Sequence, residues 1–236
     1  MLNYQEIDES YPWKAELHAH TSPCSACSRI PAADLVADYL KYGCSALTIT
    51  NHLNPTWVDD NPKERAKEYL ADYEVAKEAA EGTSMNVLLG VEIRFTENVN
   101  DYLIYGVDPD DIEFFISLIP YGIENFYKEA KTDRNLILQA HPFRKDMILA
   151  PLDSLDGIEV MNMHPGQNSA VSIAARYASE HHLIISGGSD THTTNREAVC
   201  LLRTRHQLKD SFELAEVLKK KDFLFDLSGN LMIPQP

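Results

Sequence analysis

Continuous apolar runs separated by amphipathic stretches dominate the chain. SALTIT at 45–50, NVLLGVEI at 86–93, NLILQA at 135–140, GIEVM at 157–161 and LIIS at 183–186 are such runs. Their lack of alternation predicts strands buried on both faces. Shorter strands are expected over 14–18, 102–107, 199–203 and 223–226. Helices are expected over 31–42, which opens on Pro and ends before Gly43, and over 62–81, which is rich in Ala, Glu and Lys and is closed by Gly82. Further helices fit 110–118, 122–130, 167–180 and 211–221. Strands alternating with helices predict βα units on a parallel sheet, an α/β fold. About seven units suit a closed or nearly closed barrel. An open doubly wound sheet is the alternative, but it usually carries a Gly-rich phosphate loop after its first strand. Here that loop is HAHTSPCSAC.

Length and composition narrow the class. The chain has 236 residues, 44% hydrophobic and 24% charged, without repeats, low-complexity stretches or a Gly/Ser/Pro linker. One domain over 1–236 is therefore expected. The net charge is −15. Such a field repels nucleic acid and anionic membrane, so no non-specific binding to either is expected. An anion can still bind where a metal or an Arg reverses the local sign. No apolar run approaches the ~20 residues of a membrane span. The polar, acidic N-terminus lacks the basic and apolar regions of a signal peptide. The cysteines, Cys24, Cys27, Cys44 and Cys200, make no disulfide framework, and a cytoplasmic location is expected.

Candidate chemistry sits at the strand ends. His18 and His20 close the first strand, His52 the second and Glu92 the third. His141 follows NLILQA, and Asp190 and His192 follow LIISGG. In a barrel these C-terminal ends open on one face, so residues far apart in sequence converge. His18 and His20, two apart on extended chain, project to the same side. Imidazoles suit Zn, Fe and Mn, and a carboxylate at the centre of such a ring can span two ions. By contrast, His181, His182 and His206 fit surface positions.

These motifs together resemble the PHP (polymerase and histidinol phosphatase) family of metal-dependent phosphoesterases. The matching segments are ELHAHT at 16–21, TITNH at 48–52, GVEI at 90–93, AHPFR at 140–144 and GGSDTH at 187–192, in the family's order. The resemblance implies a distorted, TIM-like (β/α)7 barrel with two or three divalent ions (Zn, Mn or Fe). One ion would take His18, His20, Glu92 and Asp190. A second, bridged by Glu92, would take His141 and Asp101, the latter standing where the family usually has His. A third would take His52 and His192. The family's remaining ligand to the third ion comes from the loop after HxHT, where this chain has Ser25 and Ala26. Either Cys24 or Cys27 fills in as a thiolate, or the position is weak or empty; side chains alternating along an extended loop favour the second.

The implied function is hydrolysis of a small phosphorylated substrate or a nucleotide, with a metal-bridging hydroxide as nucleophile and Glu92, Asp190 and His192 in catalytic positions. Arg144 and Arg94 are expected to clamp phosphate oxygens. His164, in VMNMHPGQN, is a candidate substrate contact or leaving-group acid. Two alternatives stand beside this: a metallohydrolase of amide or carboxyl derivatives, and a non-catalytic metal-binding module.

Overall fold

A computed structural model describes residues 3–234; residues 1, 2, 235 and 236 of the expected domain span lie outside the described residues. The chain runs α1 (Tyr4–Ser10), β1 (Trp13–Ala19), α2 (Ala32–Lys41), β2 (Ala46–Ile49), β3 (His52–Leu53), α3 (Pro62–Ala80), β4 (Asn86–Leu89), β5 (Val91–Arg94) and β6 (Asp101–Tyr105). It continues through α4 (Asp111–Leu118), α5 (Gly122–Ala130), β7 (Leu136–Gln139), β8 (Gly157–Asn162), α6 (Val171–Glu180), β9 (Ile184–Gly188), β10 (Cys200–Thr204), α7 (Ser211–Lys220), β11 (Leu224–Leu227) and β12 (Asn230–Met232). No helix is long and apolar enough to cross a membrane among the described residues.

Two six-stranded sheets form, ordered β12-β11-β10-β1-β2-β4 and β3-β5-β6-β7-β8-β9. The run read from the sequence as one strand over 86–93 divides at Gly90. Its first half pairs in parallel with β2 and its second with β3. A Cβ on Gly90 would meet Thr50 Cγ2 at 2.8 Å and Thr48 Cγ2 at 2.9 Å, so the close crossing from one sheet to the other requires glycine. Residues 46–53 make the same transfer as β2 and β3. The staves thus follow one another as β1, β2/β3, β4/β5, β6, β7, β8 and β9. Between β9 and β1 a single isolated parallel bridge, Ala19 to Thr191, stands in place of a ladder. This is an α/β fold with the distorted barrel geometry that the motif series implies.

The structure departs from the expected all-parallel order at β6, which runs antiparallel to both β5 and β7. The connection from β5 to β6 is too short for the crossover that a parallel neighbour requires. The consequence is functional: an antiparallel stave brings its N-terminal residue, Asp101, to the face where the others bring their C-terminal ends. At the chain's end β10, β11 and β12 form an antiparallel extension beside β1. Helix α6 begins at Val171, later than the expected 167, because Ala170 sits in the left-handed region at φ 47°. Helices α3 and α7 begin on Asn61 and Asp210, whose side chains accept from Glu64 N and from Phe212 N and Glu213 N.

Fully buried residues of the staves and helices make the core, including Leu17, Leu103, Ile137 and Leu214. Phe95, Phe115 and Phe126 pack with centroids 5.1–5.2 Å apart along that chain of contacts. Nearest the strand ends, Gly188 lies against β1: a Cβ there would fall 2.5 Å from His18 Cβ and 2.9 Å from His18 N. Gly188→Ala is therefore expected to destabilise the fold by about 1–3 kcal/mol through overpacking. Denaturant unfolding of the metal-free protein checks this, and unchanged stability would contradict the packing described.

Candidate metal centre

Every strand-end residue singled out by the sequence reaches one place. At its floor His18 Nε2 and His20 Nε2 face each other at 3.1 Å. Glu92 reaches four imidazoles: His18 Nε2 at 3.4 Å, His20 Nε2 at 3.3 Å, His52 Nδ1 at 2.9 Å and His141 Nε2 at 3.0 Å. Asp190 Oδ1 lies 3.5 Å from His18 Nε2, 3.4 Å from His20 Nε2 and 3.3 Å from His192 Nδ1. Asp101 Oδ2 lies 4.0 Å from His141 Nε2. Above this floor opens a cavity of about 640 Å³, lined in part by His52, Asp101, His141, Arg144, His164 and His192.

Local structure explains the convergence. Glu16 Oε1 accepts from Leu17 N, His18 N and Ser189 N at 2.9–3.0 Å, and Tyr39 donates to Oε2 at 2.7 Å. One buried carboxylate thus ties β1 to the segment that carries Asp190. Across the same seam His20 N donates to Thr191 O at 3.0 Å. His141 and Asp190 adopt φ of 31° and 52°. Left-handed backbone at non-glycine residues is costly, and it collects where a side chain must be re-aimed at a site.

Two residues that the sequence reading missed hold the cluster from behind. Glu159 Oε1 pairs with His18 Nδ1 at 2.8 Å, and its Oε2 accepts from His141 N at 3.1 Å and Asn162 Nδ2 at 2.9 Å. This fixes Nε2 as the outward nitrogen of His18. Asn162 Nδ2 also donates to Asp190 Oδ2 at 3.1 Å. Both lie in GIEVMN, which reads as a buried strand, and a polar pair inside such a run is the signal that could have revealed them.

The expected substrate-clamping arginines are already engaged. Arg94 donates to Asp101 through Nε at 2.8 Å and Nη2 at 2.6 Å. Arg144 donates to Asp190 Oδ2 at 2.7 Å and to Asn162 Oδ1. Both still line the cavity, alongside exposed Arg29, Lys145 and Arg196. His164 lines it too; its Nδ1 accepts from Gly166 N at 3.1 Å, leaving the proton of the neutral ring on Nε2. His181, His182 and His206 fall outside this cavity lining. Of the two loop cysteines, Cys27 lines the cavity, whereas Cys24 donates its thiol to Tyr69 O at 3.5 Å.

The electrostatics ask for cations. Glu16, Glu92, Asp101, Glu159 and Asp190 are all at most 2% exposed, and among the described residues only Arg94 and Arg144 bring fixed positive charge to them. Burial opposes charging His18, yet Glu159, Asp190 and Glu92 hold it well above the usual imidazole range. Burial likewise opposes His52, and Glu92 raises it well above that range. Burial and the neighbouring His52 push His20 down to about 4. Against their own burial, His52 and His18 hold Glu92 well below the usual carboxylate range, and His18 does the same for Asp190. Asp101 moves the other way, raised by burial and by Glu92 against the pull of Arg94. Despite this crowding, Glu92 Oε2, Asp190 Oδ1 and His141 Nδ1 are buried without a hydrogen-bond partner. Nitrogens facing nitrogens and orphaned carboxylate oxygens are the donor set of a metal site. Among the described residues, three groups have ligand atoms within 4.8 Å of one another: His18, His20 and Glu92; His52, Glu92 and Asp101; and His20, His52 and His192.

Fold and site together define an α/β metal-binding domain. A family model, the PHP domain, matches residues 16–186, and the chain belongs to that family. A search of curated proteins returned no match. Three solved structures share the fold. One is a two-domain protein from Bacteroides vulgatus ATCC 8482 described as containing a predicted PHP-like metal-dependent phosphoesterase, with TM-score 0.67, 16% identity and 90% of this chain covered. This chain spans 64% of that protein's length. Another is PsfC from Pseudomonas syringae PB-5123, with TM-score 0.59, 16% identity and 80% of each chain covered. The third is an amidohydrolase from Chromobacterium violaceum with bound sulfate and no metal, with TM-score 0.54, 15% identity, and 78% of this chain and 89% of that one covered.

Two outcomes follow for metal uptake. Glu159→Gln removes the charge that orients His18, so metal affinity should fall about 10–100-fold with the fold retained; chelator competition measures it. An unchanged affinity would show that Glu159 does not orient a ligand. In the metal-free protein the raised His18 and His52 carry protons at neutral pH, and an ion using these nitrogens must displace them. Uptake should therefore strengthen as pH rises through and above neutrality, with proton release. Calorimetry in buffers of different ionisation enthalpy tests this, and proton-neutral uptake would contradict it.

Proposed function

We propose that the chain is a metal-dependent hydrolase of phosphate esters acting on a small phosphorylated substrate or a nucleotide. The carrying observation is the pair of orphaned buried carboxylate oxygens, Glu92 Oε2 and Asp190 Oδ1, beneath a cavity ringed by cationic side chains. His18, His20, Glu92 and Asp190 would hold one ion, His141 and Asp101 with Glu92 a second, and His52 with His192 a third. Zn, Mn and Fe are the ions this donor set suits. Bound there, such ions supply Lewis acidity and a water-derived nucleophile at neutral pH.

The chain's own residues do the rest. Arg29, Lys145 and Arg196 offer exposed cationic groups that draw an anion into a protein of strongly negative net charge. Arg144, on the cavity wall and anchored by Asp190 and Asn162, presents its guanidinium to phosphate oxygens as negative charge grows. Burial, Arg144 and His192 keep His164 below the usual imidazole range, so it is neutral at physiological pH with its proton on Nε2. That N–H can donate a hydrogen bond to a phosphate oxygen, which makes His164 a substrate contact rather than the acid for the leaving group.

Metal-loaded protein should turn over phosphomonoesters, and Glu92→Gln should lose bound metal and activity together, by about 100-fold or more. Release of inorganic phosphate, read beside metal content, tests this. Amide hydrolysis without phosphate release would replace the reading with the carboxyl-derivative alternative. Full metal content with no turnover of either class would leave a binding module.

A further inference from the structure

The loop joining β1 to α2 is not the extended run whose side chains would alternate away from the site. It turns: Ser25 N donates to Thr21 O and Ser28 N to Ser25 O, each at 2.9 Å. The turn is pinned to the backbones that carry the two outer imidazoles. Ser25 Oγ accepts from His52 N at 2.9 Å, and Arg29 N donates to His192 O at 2.9 Å. Ser28 donates to His20 O at 2.9 Å. Cys27 lies between these anchors and lines the same cavity wall as His52 and His192.

The surroundings already resemble part of a coordination shell. His20, His52 and His192 present ring nitrogens within 4.8 Å of one another. Glu92 Oε2, buried and without a hydrogen bond, is 2.9 Å from His52 Nδ1 on the same side. Ser25 commits its hydroxyl to Asn51 Oδ1 at 2.9 Å while accepting from His52 N, and Ala26 has no donor atom. Cys24 points into the barrel's flank, where Tyr69 O accepts its thiol. Cys27 is thus the one loop side chain able to supply a ligand beside His52 and His192.

We propose that Cys27 is a thiolate ligand, together with His52 and His192, of a borderline divalent cation at the outer edge of the centre. This rests on the metal-centre reading under Proposed function, but not on the reaction proposed there. A sulfur ligand selects Zn²⁺, Co²⁺ or Fe²⁺ over Mg²⁺, which prefers oxygen. On coordination the S–H bond is lost, its proton passes to solvent, a metal–sulfur bond forms, and no group changes oxidation state.

The test titrates the metal-stripped full chain with Co²⁺. The parent protein and Cys24→Ser should develop a thiolate-to-cobalt charge-transfer band in the near ultraviolet. Cys27→Ser should lack the band and bind one ion fewer per chain. A fully loaded parent without the band, or Cys27→Ser retaining the band and the full stoichiometry, would overturn the proposal. A second measurement needs no variant: Zn²⁺ should protect Cys27 of the parent protein from iodoacetamide, read by peptide mass mapping, and equal labelling with and without Zn²⁺ would overturn it. Neither readout depends on turnover. A chain that shows the band yet hydrolyses no phosphate ester would support this ligand while removing the proposed reaction.

Discussion

Carboxylates withdrawn from water set the terms for the rest of this structure. Glu16, Glu92, Asp101, Glu159 and Asp190 crowd one end of the barrel, nearly or wholly buried. Removing a carboxylate from water costs several kcal/mol unless a partner of opposite charge and good hydrogen-bond geometry offsets it. Glu16 and Glu159 meet that demand with three or more donors apiece. Asp101 meets it with Arg94. Glu92 and Asp190 do not: each keeps an oxygen without a hydrogen bond, and each faces imidazoles that are best used as neutral ligands. A divalent cation is the partner that satisfies those oxygens and the facing nitrogens at once.

The fold can be understood as what holds that arrangement in register. Staves that change sheet at Gly90, an antiparallel β6 that presents Asp101, and left-handed backbone at His141 and Asp190 all depart from a regular barrel. Each departure aims a donor at the common point. The bridge from Ala19 to Thr191 and the Glu16 brace join the ends of the stave series where no ladder does. The site and the seam between β9 and β1 therefore share residues, and damage to one is expected to reach the other.

Most of the buried His/Glu/Asp cluster was legible in the sequence because strand C-termini share a face, so a His, Asp or Glu closing a strand carries positional information by itself. That reasoning placed His18, His20, His52, Glu92, His141, Asp190 and His192 together. It did not reach Glu159 and Asn162, which lie within β8 and act through tertiary contacts that no local period announces. Nor did it reach the antiparallel course of β6, since apolar periodicity carries no strand direction. The loop after β1 was misread as extended because its turn is fixed by hydrogen bonds to residues 52 and 192, far away in sequence. The engagement of Arg94 and Arg144 with Asp101 and Asp190 was invisible for the same reason.

We propose that this buried carboxylate–imidazole cluster is a metal centre. The most direct test is a crystal structure of protein loaded with Zn²⁺ or Mn²⁺, with anomalous diffraction collected on both sides of the metal's absorption edge. Edge-dependent peaks are expected in contact with Glu92, at least one of them also touching His18, His20 and Asp190. An anomalous map with no peak there, from crystals equilibrated with the metal and with the same side-chain arrangement, would contradict it.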